Sequence, residues 1–426
     1  MRKIAEYFFC NEIDTELGFC LTVLYFMRYT ACTLVAEMVN IGQSNIDSLF
    51  IIDLFRSAGG GTLFLLEVVP DNGLVEVACT QWSDGLFDVA WSETDANIIV
   101  SASGDGGLQL WNMSCPQITD SYPQAVNIVN GMSRPRVINS EFSNSSRQEL
   151  PTGKGILLLV TVAERSKACT IFARSETEIV GSNPTQGMDV CVCLQLPPQT
   201  FREHKKEVYS VDWSQTRQEQ FVLSASWDCS TKLWDPNRPN SLATFLGHTQ
   251  LVYSAMWSPH VPSCFASVSG DGTMKVWNTH MPQHPSMSLR AHDAEVLSCD
   301  WCKYDQNILA TGGSDGLIRG WDLRNITSPV FEQKGCEYAV RRVRFSPHNL
   351  SVLASVSYDF TTRIWDFKAS PDPLETVKHH SEFVYGLDFN DHVAGQIADC
   401  GWDSLVHVFS PRSLVSLSSA LAPPVK

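Results

Sequence analysis

No stretch of this sequence approaches the ~20 consecutive apolar residues of a membrane-spanning helix. The nearest candidate, Gly18 to Met27, is short and is stopped by Arg28. Glu6, Glu12, Asp14 and Glu16 follow the first basic residues, where a secretory signal would avoid acid. The expectation is a soluble, cytosolic chain. Positive charge is also scarce: 31 Lys+Arg against 46 Asp+Glu leave a formal net charge of -15. Such a surface repels phosphate backbones, which disfavours nucleic-acid binding and favours basic partners. There is no Gly-rich phosphate loop and no nucleophile motif, so catalytic residues are not expected and the chain does not read as an enzyme. The 14 cysteines lack the spacing of a disulfide framework and read as small core residues of a reducing compartment. Cys299 and Cys302 form one CxxC, but in a strand they point to opposite faces and no second pair lies nearby. Neither metal nor cofactor is expected.

What the sequence does hold is a repeat. Strand after strand ends in Trp111-Asn112, Trp234-Asp235, Trp277-Asn278, Trp321-Asp322 or Trp365-Asp366. From Trp234 the steps are 43, 44 and 44 residues, and another 44 reaches Phe409. Six residues before each aromatic stands an aspartate: Asp105, Asp228, Asp271, Asp315, Asp359 and Asp403. Four residues before that aspartate stands a hydroxyl at Ser101, Ser224, Ser267, Thr311 and Ser355, with Asp399 the exception. His204, His248, His292 and His380 lie 29 or 30 residues ahead of their aromatics. The period and this internal pattern resemble the WD40 repeat, whose blade is four strands of 40–45 residues. A blade that buries an indole N–H, a hydroxyl and a carboxylate must pair all three. The resemblance implies structural tetrads at His204–Ser224–Asp228–Trp234, His248–Ser267–Asp271–Trp277 and His292–Thr311–Asp315–Trp321. A catalytic triad is excluded because the set recurs once per blade instead of forming one reactive site. Cys336 and Trp82 stand where the histidine is expected in two repeats, which reads either as plain degeneracy of the repeat or as blades that are less rigid or have those loop positions freed for contacts.

Six repeats are complete: 81–115, 199–240, 241–284, 285–328, 329–372 and 373–410. Residues 57–80 add two strands around the hairpin signal Asp71-Asn72-Gly73. They read as the second half of a further blade, because an open ring would leave unpaired edges. The expected fold is therefore all-β, a seven-bladed WD40 β-propeller with an incomplete first blade. Its divisions are an atypical segment 1–56, the partial first and the second blade at 57–115, an insertion at 116–198, blades three to seven at 199–410 and a tail at 411–426. The insertion has no Trp and none of the repeat pattern; it is rich in Ser, Pro, Asn and Gln and reads as a largely disordered rim loop.

Four stretches carry a narrower resemblance. They are Trp82-Ser83-Asp84-Gly85-Leu86-Phe87-Asp88-Val89-Ala90-Trp91-Ser92-Glu93, Glu207-Val208-Tyr209-Ser210-Val211-Asp212-Trp213-Ser214-Gln215-Thr216-Arg217, Leu297-Ser298-Cys299-Asp300-Trp301-Cys302-Lys303-Tyr304 and Ala354-Ser355-Val356-Ser357-Tyr358-Asp359-Phe360-Thr361. Over about 57–115 and 199–410 the chain resembles the peroxin-7 family, WD40 receptors for type-2 peroxisomal targeting signals. The resemblance implies protein transport: binding of an N-terminal helical signal on peroxisomal enzymes, handover with a peroxin-5-class co-receptor to the peroxisomal docking complex, and cycling between cytosol and peroxisome matrix. A basic amphipathic helix needs carboxylates for its charge and an apolar groove for its leucines. Repeat geometry nominates, as peptide-binding residues around one mouth, Phe87, Glu207, Tyr209, Trp227, Tyr253, Glu295, Leu297, Arg341, Tyr358, Tyr385 and Trp402, with Asp84 beside them. The nomination expects exposed aromatics mixed with acids, a surface suited to a cationic helix. A rival reading starts from Trp321-Asp322-Leu323-Arg324, which resembles the WDxR box of WD40 substrate receptors for cullin-type ubiquitin ligases.

Overall fold

The computed structural model describes residues 61–69, 73–112 except 96, and 199–421 except 216–219, 392 and 404. It also describes short strands at Met38–Asn40, Asp47–Ile51, Arg136–Val137 and Ile156–Val160. Most of segments 1–56 and 116–198, and with them most of the expected rim loop, lies outside the described residues.

Among the described residues, six four-stranded sheets, antiparallel except at the outer edge of the last, are numbered here as blades 1 to 6. Their inner strands are Leu86–Trp91, Val208–Trp213, Val252–Trp257, Val296–Trp301, Val340–Phe345 and Val384–Phe389. The expected seven blades are corrected to six. Of the segment 57–80, Thr62–Val69 does pair with Gly73–Gln81 as antiparallel neighbours. That pair belongs to a five-stranded sheet, where Thr62–Val69 pairs with Ile156–Val160 and the latter runs parallel to Asp47–Ile51. The two missing strands of a blade have no repeat sequence to build them, so other segments occupy the pair's edge.

A second difference is the phase of repeat and blade. Gln199–Arg202 opens a sequence repeat, yet it pairs with Gly107–Asn112 as the outer strand of blade 1. The same offset recurs in blades 2 to 5, whose outer strands, such as Ala243–Leu246, precede the histidine position of the next repeat. Sequence repeats therefore interlock adjacent blades. In blade 6 the outer position is held by Arg136–Val137, parallel to Leu405–Phe409. The tail carries a helix, Arg412–Leu421, which buries Leu414 in the core of the last blade. No helix among the described residues is long and apolar enough to cross a membrane.

The blades are cemented by the buried polar sets. His204 meets Asp228 at 2.9 Å and Ser224 at 2.7 Å, and the Trp234 indole donates to Ser224 at 2.8 Å. His248–Asp271, His248–Ser267 and Trp277–Ser267 repeat this at 3.0, 2.7 and 2.8 Å. His292 reaches Asp315 at 2.9 Å and Thr311 at 2.9 Å, and Trp321 donates to Thr311 at 3.0 Å. Where the histidine is missing, other groups take over its work. Arg363 donates to Asp359 at 2.6 Å in blade 5, and the Trp82 indole donates to Asp105 at 3.2 Å in blade 1. Each of those two blades has its own substitute contact.

Candidate functional site

Every inner strand carries a register shift, a β-bulge, at the fourth residue before its terminal aromatic. The bulged residues are Phe87, Tyr209, Tyr253, Leu297, Arg341 and Tyr385. A bulge shifts the ladder register at one residue and re-aims its side chain. Here the bulged side chains gather at one level of the central channel. Phe87 and Tyr253 pack on Tyr209 with ring centroids 5.2 and 5.5 Å away. The Arg341 guanidinium lies 3.8 Å from the Tyr385 ring and 4.9 Å from that of Tyr209. The Tyr385 hydroxyl donates to the Tyr209 hydroxyl, which ties blade 6 to blade 2.

A second repeated contact builds the rim above this level. The amide of the residue before each turn aspartate donates to the carbonyl six residues before the inner-strand aromatic. Trp227 is so held by Glu207 at 3.0 Å, Tyr358 by Ala339 at 3.1 Å and Trp402 by Phe383 at 2.9 Å. Gly104, Gly270 and Ser314 are held in the same way by Gly85, Leu251 and Glu295. The rim is consequently lopsided: bulky aromatics over blades 2, 5 and 6, and small residues over blades 1, 3 and 4. Trp227 stacks on Tyr209 at 5.2 Å and meets Phe87 at 5.6 Å. Across the mouth Phe383 packs against Tyr358 and Trp402, each at 4.8 Å. The indole nitrogens of Trp227 and Trp402 are buried and have no hydrogen-bond partner among the described residues.

The nominated residues thus fall into two aromatic groups and a set of acids, with Leu297 and Arg341 among the bulged side chains. The expectation of exposed aromatics needs correction for the bulge residues, whose exposure runs from 1% at Tyr385 to 8% at Tyr253. They close the channel against one another, and Trp227 is buried with them. Glu207, Glu295, Tyr358, Trp402 and Asp84 are half-buried around them. Glu295 accepts from the Tyr253 hydroxyl at 3.3 Å, and burial raises its pKa against that hydrogen bond. Asp84 accepts from the Gly85 amide at 2.8 Å and so shapes its own loop. Burial pushes the Tyr358 and Tyr385 hydroxyls well above their ordinary range, which keeps them neutral hydrogen-bonding groups. Sequence reasoning missed Phe383, although it holds the same repeat position as Glu207 and Glu295.

Below the bulges the channel is ionic. Arg342 donates to Asp88 at 2.9 Å, from blade 5 to blade 1. Arg344 lies 3.6 Å from Asp388 and 3.8 Å from Asp300. Inner strands are also stapled to their neighbours through side chains. Asp88 accepts from the Val211 amide at 3.1 Å, Asp212 from Trp257 at 2.6 Å and Asp300 from Phe345 at 2.7 Å. Arg324, the last residue of the Trp321 box, is exposed and pairs with Asp322 at 2.6 Å at the strand end. Cys299 and Cys302 are both buried, and burial holds the Cys299 thiol in its protonated form.

Four segments, 195–235, 239–278, 283–322 and 327–366, match the WD domain, G-beta repeat. The chain is 41% identical over 210 residues to the peroxisomal targeting signal 2 receptor of Mus musculus, across 49% of this chain and 41% of the mouse protein. It is 42% identical over 211 residues to the receptor of the same name from Homo sapiens, with the same shares. It thus spans less than half the length of these curated relatives. The crystal structure of the WD40 beta propeller domain of Doa1 aligns with a TM-score of 0.57 at 16% identity, covering 90% of this chain and 95% of that one. That likeness is one of fold alone.

Proposed function

For this WD40-repeat protein we propose the role of a cargo receptor that binds the N-terminal helical type-2 peroxisomal targeting signal of matrix enzymes. The likeness to receptors named for that signal carries the reading. The mouth supports it chemically. Glu207 and Glu295 supply negative charge beside Tyr253 and Trp227, so a basic side chain would meet a carboxylate and an aromatic ring together. Phe383, Tyr358 and Trp402 supply the apolar surface that the aliphatic face of an amphipathic helix needs. Because the bulge ring is closed, the signal helix would lie across the lopsided rim, above the small residues of blades 3 and 4, instead of threading the channel. Cargo would then pass, with a peroxin-5-class co-receptor, to the peroxisomal docking complex as the receptor cycles between cytosol and peroxisome. The ubiquitin-ligase reading depends on Arg324, whose guanidinium is engaged by Asp322.

The test is retention of the protein by an immobilised peptide carrying a basic residue, two leucines and a His at helical spacing. Glu207→Lys or Glu295→Lys should weaken that binding about tenfold or more with the fold intact. No retention even with the co-receptor present would overturn the receptor reading. Retention with unchanged affinity in both variants would move the site away from this mouth.

A further inference from the structure

Blade 6 departs from the repeat at three positions that meet in space. Where blades 1 to 5 hold Ser101, Ser224, Ser267, Thr311 and Ser355, it has Asp399. The residue paired with each of these across the strands is Gln109, Lys232, Lys275, Arg319 or Arg363, and in blade 6 it is His407. The residue before the repeat-histidine position is Gln81, Glu203, Gly247, Ala291 or Gly335 elsewhere, and here it is His379. The long cations of blades 2 to 4 reach acids or hydroxyls near the blade edge, Lys232 pairing with Glu203 and Arg319 with Glu332, whereas Arg363 of blade 5 serves the turn carboxylate of Asp359. The shorter His407 stays inside, 3% exposed.

The three histidine rings lie in mutual contact. The His379 and His407 rings stack at 4.0 Å, and His380 lies 4.7 and 4.8 Å from them. One ring nitrogen from each histidine lies within 4.8 Å of the others. His379 Nε2 is 2.8 Å from Asp399, and His380 Nε2 is 3.1 Å from it. Phe409 replaces the tryptophan of other blades, so no indole N–H requires a hydroxyl at position 399. The Thr362 hydroxyl, His379 and His380 account for the Asp399 carboxylate. They leave His407 unexplained, because neither of its ring nitrogens has a hydrogen-bond partner among the described residues. A buried imidazole without partners is costly, and a metal ion would supply one. His379, about one-fifth exposed, marks the side from which an ion would reach the cluster.

We propose that His379, His380 and His407, with Asp399 as fourth ligand, form a binding site for a zinc-class divalent ion. Three imidazoles and one carboxylate suit tetrahedral Zn²⁺; bonds of about 2 Å would draw the nitrogens inward and turn the His379 and His407 rings out of their stack, since an ion lies in the plane of each imidazole it binds. The ion would take the place of the proton that His380 shares with Asp399. It would fasten the third strand of the last blade to the segment leading into its inner strand.

The experiment uses the full chain, stripped with a chelator and titrated with Co²⁺ followed by absorption and with Zn²⁺ followed by calorimetry. One equivalent with tetrahedral Co²⁺ bands is expected. His407→Lys, which installs the residue type of blades 2 and 3, should lower the affinity by roughly 100-fold or more while near-ultraviolet circular dichroism stays native. Should that variant not fold, His379→Ala, the residue type of blade 4, is read in the same way. His260→Gln, outside the cluster, should bind as the parent does. Absence of stoichiometric binding, or unchanged affinity in the folded cluster variant, would overturn the site.

Discussion

Ser267 stands at the junction of a relay: it lies 2.7 Å from His248 and accepts the Trp277 indole N–H at 2.8 Å. Ser267→Ala leaves a buried ring nitrogen and a buried indole N–H unpaired at once. The expected loss is about 2–3 kcal/mol in urea unfolding, and Ser267→Thr, which copies Thr311, should recover most of it. A loss below about 0.5 kcal/mol would mean that the relay does not hold the blade. Asp212 is the opposite kind of residue, a carboxyl whose burial raises it from 3.8 to about 7 against the Trp257 amide and the charges of Arg344 and Lys303. An acid raised on folding contributes stability below its unfolded pKa, and that contribution is lost as pH rises through the folded value. Asp212→Asn should therefore gain on the parent in melting temperature from about pH 4 to about pH 7, then run parallel to it. Parallel curves throughout would show that Asp212 titrates as an ordinary carboxyl.

At the scale of strands and turns, the regular spacing of Trp, Asp and hydroxyl made six blades and three tetrads legible, because those residues act within one repeat. Features that depend on pairing across strands were not legible. Arg363 serves Asp359 because it stands opposite Ser355 in the adjacent strand, a relation that linear spacing does not display. The bulges were hidden for the same reason: Tyr209 and Tyr253 could be nominated by repeat position, but not recognised as bulged residues turned into the channel. The seventh blade failed because a hairpin signal defines two strands and says nothing of which strands join its edges. Gly320 illustrates the close fit between third and outer strands. It sits opposite Phe331, and a Cβ there would lie 2.0 Å from that ring. Gly320→Ala must push Phe331 outward, and we expect a loss of about 1–3 kcal/mol by thermal or urea unfolding. An unaltered melting temperature would show that the outer strand of blade 4 yields without resistance.

For the whole molecule the central issue is how blades made by separate repeats hold one another. Apolar faces between neighbouring blades do most of it, as where Trp213 and Trp234 of blade 2 pack with Ala90 and Leu108 of blade 1. The channel adds links that skip neighbours: Tyr385 to Tyr209, and Arg342 to Asp88, whose side chains are 11% and 4% exposed. Such a pair is weak evidence of net stabilisation, since both charges were taken from water, but removing one partner strands the other. Arg342→Met should therefore destabilise by about 3–5 kcal/mol, and Asp88→Asn by less because its side chain can still accept from Val211. The double variant should be more stable than the sum of the two losses predicts, by about 1–3 kcal/mol in a double-mutant cycle. The same cycle on Lys232 and Glu203, a pair at the outer edge of blade 2 with Glu203 29% exposed, should give a coupling below about 1 kcal/mol. Equal couplings at the two places would mean that the channel pair is no more than a surface contact, and that ring integrity rests on the apolar faces alone.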